Sequence, residues 1–271
     1  GIGTGDFTDS ATSTQWAYNT QIARALFDPG ATQFGGNPRF LGAIGNHDIL
    51  SSNWYSLWQK SLPGQLGLGH SGTDGVYFST SYRNVLFAIM DSNMTSGNNT
   101  SYADAQTGAL KNALAASSAQ FKFIFYHKPV YSCSTSHEAY APALPWLDLA
   151  ETHNVDAIFS GHTHVYARTC RMNHGACTGN ATGTVQVEVG TVGSPGPRTV
   201  NVSSASVTGT DALGAPRTDR YNCTSNLMAS RSNTNDFCYV RVDDCKATVS
   251  CYMVGAGNTA PFDSWTIDHC G

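Results

Sequence analysis

Along the first 165 residues the apolar positions fall into two alternating patterns. Short, continuous apolar runs bounded by turn residues predict buried strands: RFLGAIG (39–45), VYFST (76–80), NVLFAIMDS (84–92), FKFIFYH (121–127) and VDAIFSG (155–161). Between them, STQWAYNTQIARALF (13–27) sets Trp16, Ile22, Ala23 and Leu26 at roughly helical spacing. NWYSLWQKSL (53–62), DAQTGALKNALAAS (104–117) and LPWLDLAETH (144–153) also predict helices. SYRN (81–84) predicts a turn, and LPGQLGLGHSGTDG (62–75) a loop with strong breakers.

After Arg168 the pattern changes. Gly, Ser, Thr, Asn and Cys dominate, helical periodicity fades, and strands such as TVQVEVGT (184–191) and CYVRVDD (238–244) appear. No linker separates the two parts, so one domain over 1–271 is expected. Its motif-bearing α/β portion is 1–168, and a β region over 169–271 packs on it.

Composition narrows the options. With 41% hydrophobic residues the 271-residue chain can bury a sizeable core, while charge is sparse at 13% with a net of −4. No Lys/Arg cluster suggests a nucleic-acid polymer, and no apolar run is long enough to span a membrane. All eight cysteines lie between positions 133 and 270, without a C-x-x-C pair. That favours disulfides over a zinc ribbon, and hence an oxidising, extracellular setting; Cys170 and Cys177 can close a short loop. Sequons at Asn93, Asn98, Asn99, Asn180, Asn201 and Asn222 are candidate sites for N-linked glycans.

Candidate chemistry gathers where the strands end. GDFTD supplies Asp6 and Asp9, GNHD supplies Asn46, His47 and Asp48, and YHKP supplies His127. GHTH supplies His162 and His164, which in an extended chain point the same way and suit two neighbouring metal ions. In α/β folds, sites collect beyond the carboxyl ends of strands. Other motifs lack their context. GLGHSG (67–72) precedes a strand rather than a helix, GTVGSPGPR (190–198) has no Walker lysine, and no G-x-S-x-G elbow exists. Arg168 is read as an ion-pair partner before a phosphate contact.

The ordered set Gly5-Asp6, Gly45-Asn46-His47-Asp48, His127 and Gly161-His162-Thr163-His164 resembles the calcineurin-like metallophosphoesterases. HKPVYS and GHTHVYAR are most similar to the purple acid phosphatase branch. The resemblance implies a layered sandwich of two mixed β-sheets flanked by helices. It also implies two metal ions (Fe, Zn or Mn) and hydrolysis of phosphate monoesters by a metal-bound hydroxide, in a secreted acid-phosphatase-like enzyme. By the same resemblance Asp6 bridges the ions, Asn46, His127 and His162 complete one shell, and His164 binds the second ion. His47 acts as general acid oriented by Asp48, and His137 contacts the substrate. Asp9 stands where the branch has a tyrosine, so no tyrosinate–iron colour is expected, and its carboxylate is a candidate oxygen ligand. The family's first Asp-x-His or Asp-x-Gly strand lies upstream of the Gly-Asp motif, and only four residues precede Gly5. Two alternatives follow: a phosphodiesterase for nucleotides or phospholipid headgroups, and a catalytically degenerate, glycosylated extracellular binding module.

Overall fold

The computed structural model describes residues 1–18, 41–50, 70–73, 77–93, 100–179, 182–190, 198–200, 203–232, 235–255, 257 and 259–271. The predicted helix at 53–62, residues 19–27 of that predicted at 13–27, and the sequons at Asn98, Asn99, Asn180 and Asn201 lie outside the described residues.

A nine-stranded mixed sheet forms the centre. Its strands are β3 (His70–Thr73), β4 (Tyr77–Tyr82), β5 (Val85–Ile89), β6 (Phe121–Phe125), β7 (Ala157–Ser160), β8 (Tyr166–Asn173), β9 (Ala176–Cys177), β10 (Thr184–Glu188) and β13 (Leu227–Arg231). The order is β13-β8-β10-β7-β6-β5-β4-β3, with β9 beside β8. The middle pairings β10–β7, β7–β6 and β6–β5 are parallel, which explains why these strands are apolar on both faces. Period-2 alternation then sorts their side chains. Phe121, Phe123, Phe125 and Phe159 enter one core, while Ile124, Ile158, Leu86 and Ala88 enter the other.

Helices α1 (Thr100–Ala116) and α2 (Leu144–Thr152) cover the second face with Leu110, Leu114, Trp146 and Leu147. The phenylalanine face packs on Ala247, Val249 and Ile267 of an antiparallel sheet, β14 (Asp236–Asp243), β15 (Lys246–Met253) and β16 (Asp263–Asp268). A hairpin, β11 (Ser204–Thr210) with β12 (Pro216–Asn222), adds Val207 and Tyr221 to the helix-side core. The parallel pair β1 (Ile2–Gly3) and β2 (Leu41–Gly42) completes the strands.

Two expectations change. The second sheet is not one mixed sheet among the described residues but an antiparallel three-stranded sheet and the separate β1–β2 pair. Residues 70–73, expected in a loop, form β3 because β4 offers a pairing edge from His70↔Thr80 to Thr73↔Tyr77. Tertiary pairing overrides the local breakers there.

All eight cysteines are bridged: Cys133–Cys223, Cys170–Cys177, Cys238–Cys251 and Cys245–Cys270. Four disulfides indicate an oxidising compartment. Cys133–Cys223 spans 90 residues and ties the loop after β6 to the end of the β11–β12 hairpin. A loop of that length is stabilised by on the order of 4–5 kcal/mol in the chain-entropy account. No helix among the described residues is long and apolar enough to cross a membrane.

Candidate metal centre

Four strand ends deliver the polar residues to one place. Asp6 follows β1, Asn46 to Asp48 follow β2, His127 follows β6, and His162 and His164 follow β7. The first two strands run parallel, as do the last two.

Glycine makes the close approach of these ends feasible. Gly5 has φ +99°, and a Cβ there would lie 2.5 Å from His127 Nδ1. A Cβ at Gly45 would lie 2.1 Å from the Asp6 amide and carboxylate, so only glycine fits. Asp6 itself sits at φ 53°, and His162 and His164 at 68° and 56°. Left-handed backbone at non-glycine residues costs of order 1–3 kcal/mol each and recurs at functional sites. The two GHTH histidines thus reach the same side through a left-handed turn after β7, not through the strand alternation expected from their spacing.

The geometry at His127 determines what the site can hold. Its Nδ1 lies 2.7 Å from the Thr4 carbonyl, an acceptor, so Nδ1 carries a proton. In the neutral ring Nε2 then bears a lone pair, yet it points at Asp6 Oδ2 and Asn46 Oδ1, each 3.1 Å away. Three acceptors facing one another require a cation between them, either a proton on Nε2 or a metal ion. Ligand atoms of Asp6, His127 and His162 all lie within 4.8 Å of one another, compatible with one ion. Nitrogen and oxygen donors in this mixture suit a first-row transition metal.

Electrostatics prepares these groups as ligands. Burial pushes the Asp6 carboxyl up, but the His127 hydrogen bond and charge and the His47 amide outweigh it and hold it below its usual range. Burial, then the neighbouring His127 and His137, brings His162 down to about 3, leaving it neutral with a free lone pair. Burial also lowers His164 and His137. The His137 ring lies 4.2 Å from that of His162 and 5.6 Å from that of His164, centroid to centroid.

His47 lies on the rim. Its amide donates to Asp6 Oδ1 at 2.9 Å, and its Nδ1 donates to the Asp9 carbonyl at 2.6 Å. The Asp48 carboxylate accepts from the Gly45 and Thr8 amides at 2.9 and 3.0 Å and from the Thr8 hydroxyl at 3.3 Å. It therefore clamps the β2 turn to the Asp6 loop and makes no hydrogen bond to His47; the Asp9 main chain orients that ring instead. Desolvation raises Asp48 to about 6. The Asp9 carboxylate is 80% exposed and accepts from Ser10, so it lies outside the acceptor group.

A cleft of about 1260 Å³ opens on Asp6, His47, His127, His162 and His164. Its walls are Phe87, Phe123, Phe125 and Phe159 of the main sheet and Val240 and Val242 of β14. Among the described residues β1 bonds only β2, and β14 only β15, so each presents an unpaired edge to this cleft.

Other candidates fall elsewhere. Arg168 makes a bidentate pair with Asp263 at 2.7 and 2.9 Å and stacks on Trp265, a structural role. His269 pairs with Asp156 at 2.8 Å. Asn93 is buried, its side-chain amide donating to the Ile44 carbonyl and to Asp91, which leaves no room for a glycan. Asn222 donates to Ser204 and is partly exposed.

Sequence reasoning missed a second group. Asp148, Glu151 and His174 also place ligand atoms within 4.8 Å of one another. The helical i, i+3 spacing of Asp148 and Glu151, and Arg217 two residues before Asp219 on one strand face, were the available signals.

The chain belongs to the calcineurin-like phosphoesterase family, whose model matches residues 2–166, more than half of its length. A search of curated protein sequences found no significant match. Three solved structures are similar in fold. The purple acid phosphatase PPD1 from yellow lupin seeds has 17% identity and a TM-score of 0.59, over 98% of this chain and 45% of that one. GAP50, the anchor in the inner membrane complex of Plasmodium, has 14% identity and a TM-score of 0.57, over 100% and 89%. PhoD has 11% identity and a TM-score of 0.56, over 99% and 64%. The chain spans less than half the length of the lupin protein.

Proposed function

We propose that this chain is a secreted, metal-dependent phosphoester hydrolase acting on phosphate monoesters, folded as one domain in the layered arrangement of its family. The observation that carries the proposal is the convergence of Asp6 Oδ2, Asn46 Oδ1 and the His127 lone pair, with His162 adjoining. Family membership supports the reaction class, and four disulfides support secretion.

Asp6, Asn46, His127 and His162 would hold one ion, and Asp6 with His164 would contribute to a second. Bound metal would supply Lewis-acid polarisation of the phosphoryl oxygens and a water nucleophile at neutral pH. Thr4 fixes the His127 tautomer through its carbonyl, and Asp48 holds the turn that presents Asn46 and His47. With Nδ1–H committed to the Asp9 carbonyl, His47 presents Nε2 at the rim, where it would deliver a proton to the leaving oxygen. His137, beside His162 and His164, would contact the phosphoryl group. The apolar cleft walls exclude water and strengthen each polar contact. Diesters are the alternative substrate for the same groups.

A second reading has a specific observation in its favour. Among the described residues, the ligand atoms that lie within 4.8 Å of one another here are those of Asp6, His127 and His162, and His164 is not part of that group. The similar fold of an anchor protein also supports an extracellular binding module that retains the fold without turnover. One experiment separates the two: metal content per chain together with hydrolysis of 4-nitrophenyl phosphate by wild type and His164→Ala. Metal and turnover in the wild type, with turnover abolished in a folded variant, support the hydrolase. Unchanged hydrolysis in His164→Ala contradicts these roles, and no metal with no turnover supports the module.

A further inference from the structure

Arg198, the last residue of a segment set aside as a motif in the sequence, is a residue that the proposed reaction has not yet used. Residues 198–200 lie beside the loop after β6. The Thr135 amide donates to the Thr199 carbonyl at 3.0 Å, Ser134 and Val200 form a β-bridge, and the Val200 amide donates to Ser232 at 3.0 Å. The same loop is fastened to the GHTH turn, since the Ser134 hydroxyl donates to the Thr163 carbonyl at 3.0 Å. Ser134 also bonds Ser136, one residue before His137. Three segments carrying Arg198, His137 and the pair His162/His164 are therefore laced together by backbone bonds and the Ser134 hydroxyl.

Within that arrangement two buried nitrogens lack a partner among the described residues: Arg198 Nε and His137 Nε2. Burying a donor without an acceptor is unfavourable, and more so when the donor is charged. The other described arginines shielded from solvent are satisfied by carboxylates: Arg168 by Asp263, Arg171 by Asp156, and Arg217 by three acids. Arg198 has no carboxylate among the described residues, although its charge is felt at both His137 and His164. A permanent guanidinium and an imidazole, each with an unpaired buried nitrogen and carried by segments fastened to the GHTH turn, suit a ligand with several anionic oxygens.

We propose that Arg198 and His137 form a phosphoryl-binding clamp, and that Arg198 makes the site selective for phosphomonoester dianions over diesters. The substrate assignment rests on the phosphoester-hydrolase reading; the anion site does not. A monoester offers three terminal oxygens and two charges to the forked guanidinium, whereas a diester offers two oxygens and one charge. Coulomb energy is linear in ligand charge, so removing Arg198 penalises the dianion about twice as strongly on a logarithmic scale.

The test compares kcat/KM of wild type, Arg198→Gln and Arg198→Lys on 4-nitrophenyl phosphate and bis(4-nitrophenyl) phosphate at pH 7.5. Metal content is measured in each, and inorganic phosphate binding is followed by calorimetry. Arg198→Gln should lower monoester kcat/KM about 100-fold, at the strong end for a charged hydrogen bond, and diester kcat/KM only about 10-fold, with metal content unchanged. Arg198→Lys should fall between and would carry the test should Arg198→Gln not fold. Equal losses on both substrates, or none, in an active enzyme overturn the clamp and leave the hydrolase intact. Should the wild type hydrolyse neither ester, phosphate binding weakened at least about tenfold in Arg198→Gln sustains the anion site while the hydrolase fails. A wild type that binds no phosphate overturns the clamp outright.

Discussion

Two clusters in this molecule place carboxylate and imidazole atoms within 4.8 Å of one another, yet they differ in what already fills them. Around Asp6, His127 and His162, acceptor faces acceptor and no arginine or lysine intervenes in the contacts made. Around Asp148, Glu151 and His174, the Arg217 guanidinium is seated. It reaches Asp148 at 3.0 Å, Glu151 at 2.7 Å and Asp219 at 2.6 Å, and Tyr131 donates a further bond to Asp219. Donor spacing alone therefore does not define a metal site. The balance of local charge decides, and the second cluster is a buried ionic lock joining α2 to β12.

The largest effect should come from removing that lock's cation. Arg217→Met leaves three acids without their partner and should destabilise the fold by about 3–5 kcal/mol in urea unfolding. Because the arginine alone occupies the acidic group, millimolar Zn²⁺ or Mn²⁺ should restore part of the loss in the variant. Wild type, with Arg217 in place, should gain nothing at that cluster. A variant as stable as wild type would show that the lock is not what holds α2.

The same cluster predicts a pH dependence. Burial raises Glu151 to about 7 despite Arg217, against an ordinary value of 4.5. Between those values the folded state retains a proton that the unfolded state has released, so the contribution of Glu151 to stability is fully present below about 4.5 and is lost as pH rises through 7. The full span is about 3 kcal/mol. Urea midpoints with chelator present should decline from pH 5 to pH 8, and Glu151→Gln should make the decline shallower while Glu188 and Asp48, raised by burial to about 7 and 6, keep the rest of it.

At the first cluster the expected change is in binding, not stability. Asp6→Asn should weaken metal affinity by about 100-fold or more while leaving the unfolding midpoint of the chelated protein near that of wild type. Glu151→Gln should leave metal affinity unchanged. The smallest effect is expected at Asp48, whose carboxylate accepts three hydrogen bonds from Gly45 and Thr8. Asp48→Asn turns an NH₂ toward a backbone donor and should cost about 1–3 kcal/mol. It should also lower turnover through displacement of His47, with KM nearly unchanged.

Much of the central sheet could be read from the chain because β5, β6 and β7 are buried on both faces and so appear as unbroken apolar runs. The ends of those runs carry the polar residues, so the convergence of Asp6, His127 and His162 could be anticipated. What escaped the sequence depends on side chains meeting across long separations. Arg217 finds Asp148 and Glu151 more than sixty positions away. Arg198 reaches the His137 loop through a bridge between Ser134 and Val200. Backbone geometry escaped as well, since GHTH reads as a strand extension and folds as a left-handed turn. Asp48 reads as the partner of the histidine beside it in sequence, yet it bonds Thr8 forty residues away.

Elemental analysis of purified, dialysed protein tests the central contrast most directly, comparing wild type with Asp6→Asn and Glu151→Gln. The account predicts at least one transition-metal ion per chain in wild type and Glu151→Gln, and its loss in Asp6→Asn. Metal retained in Asp6→Asn, or lost in Glu151→Gln, would contradict it.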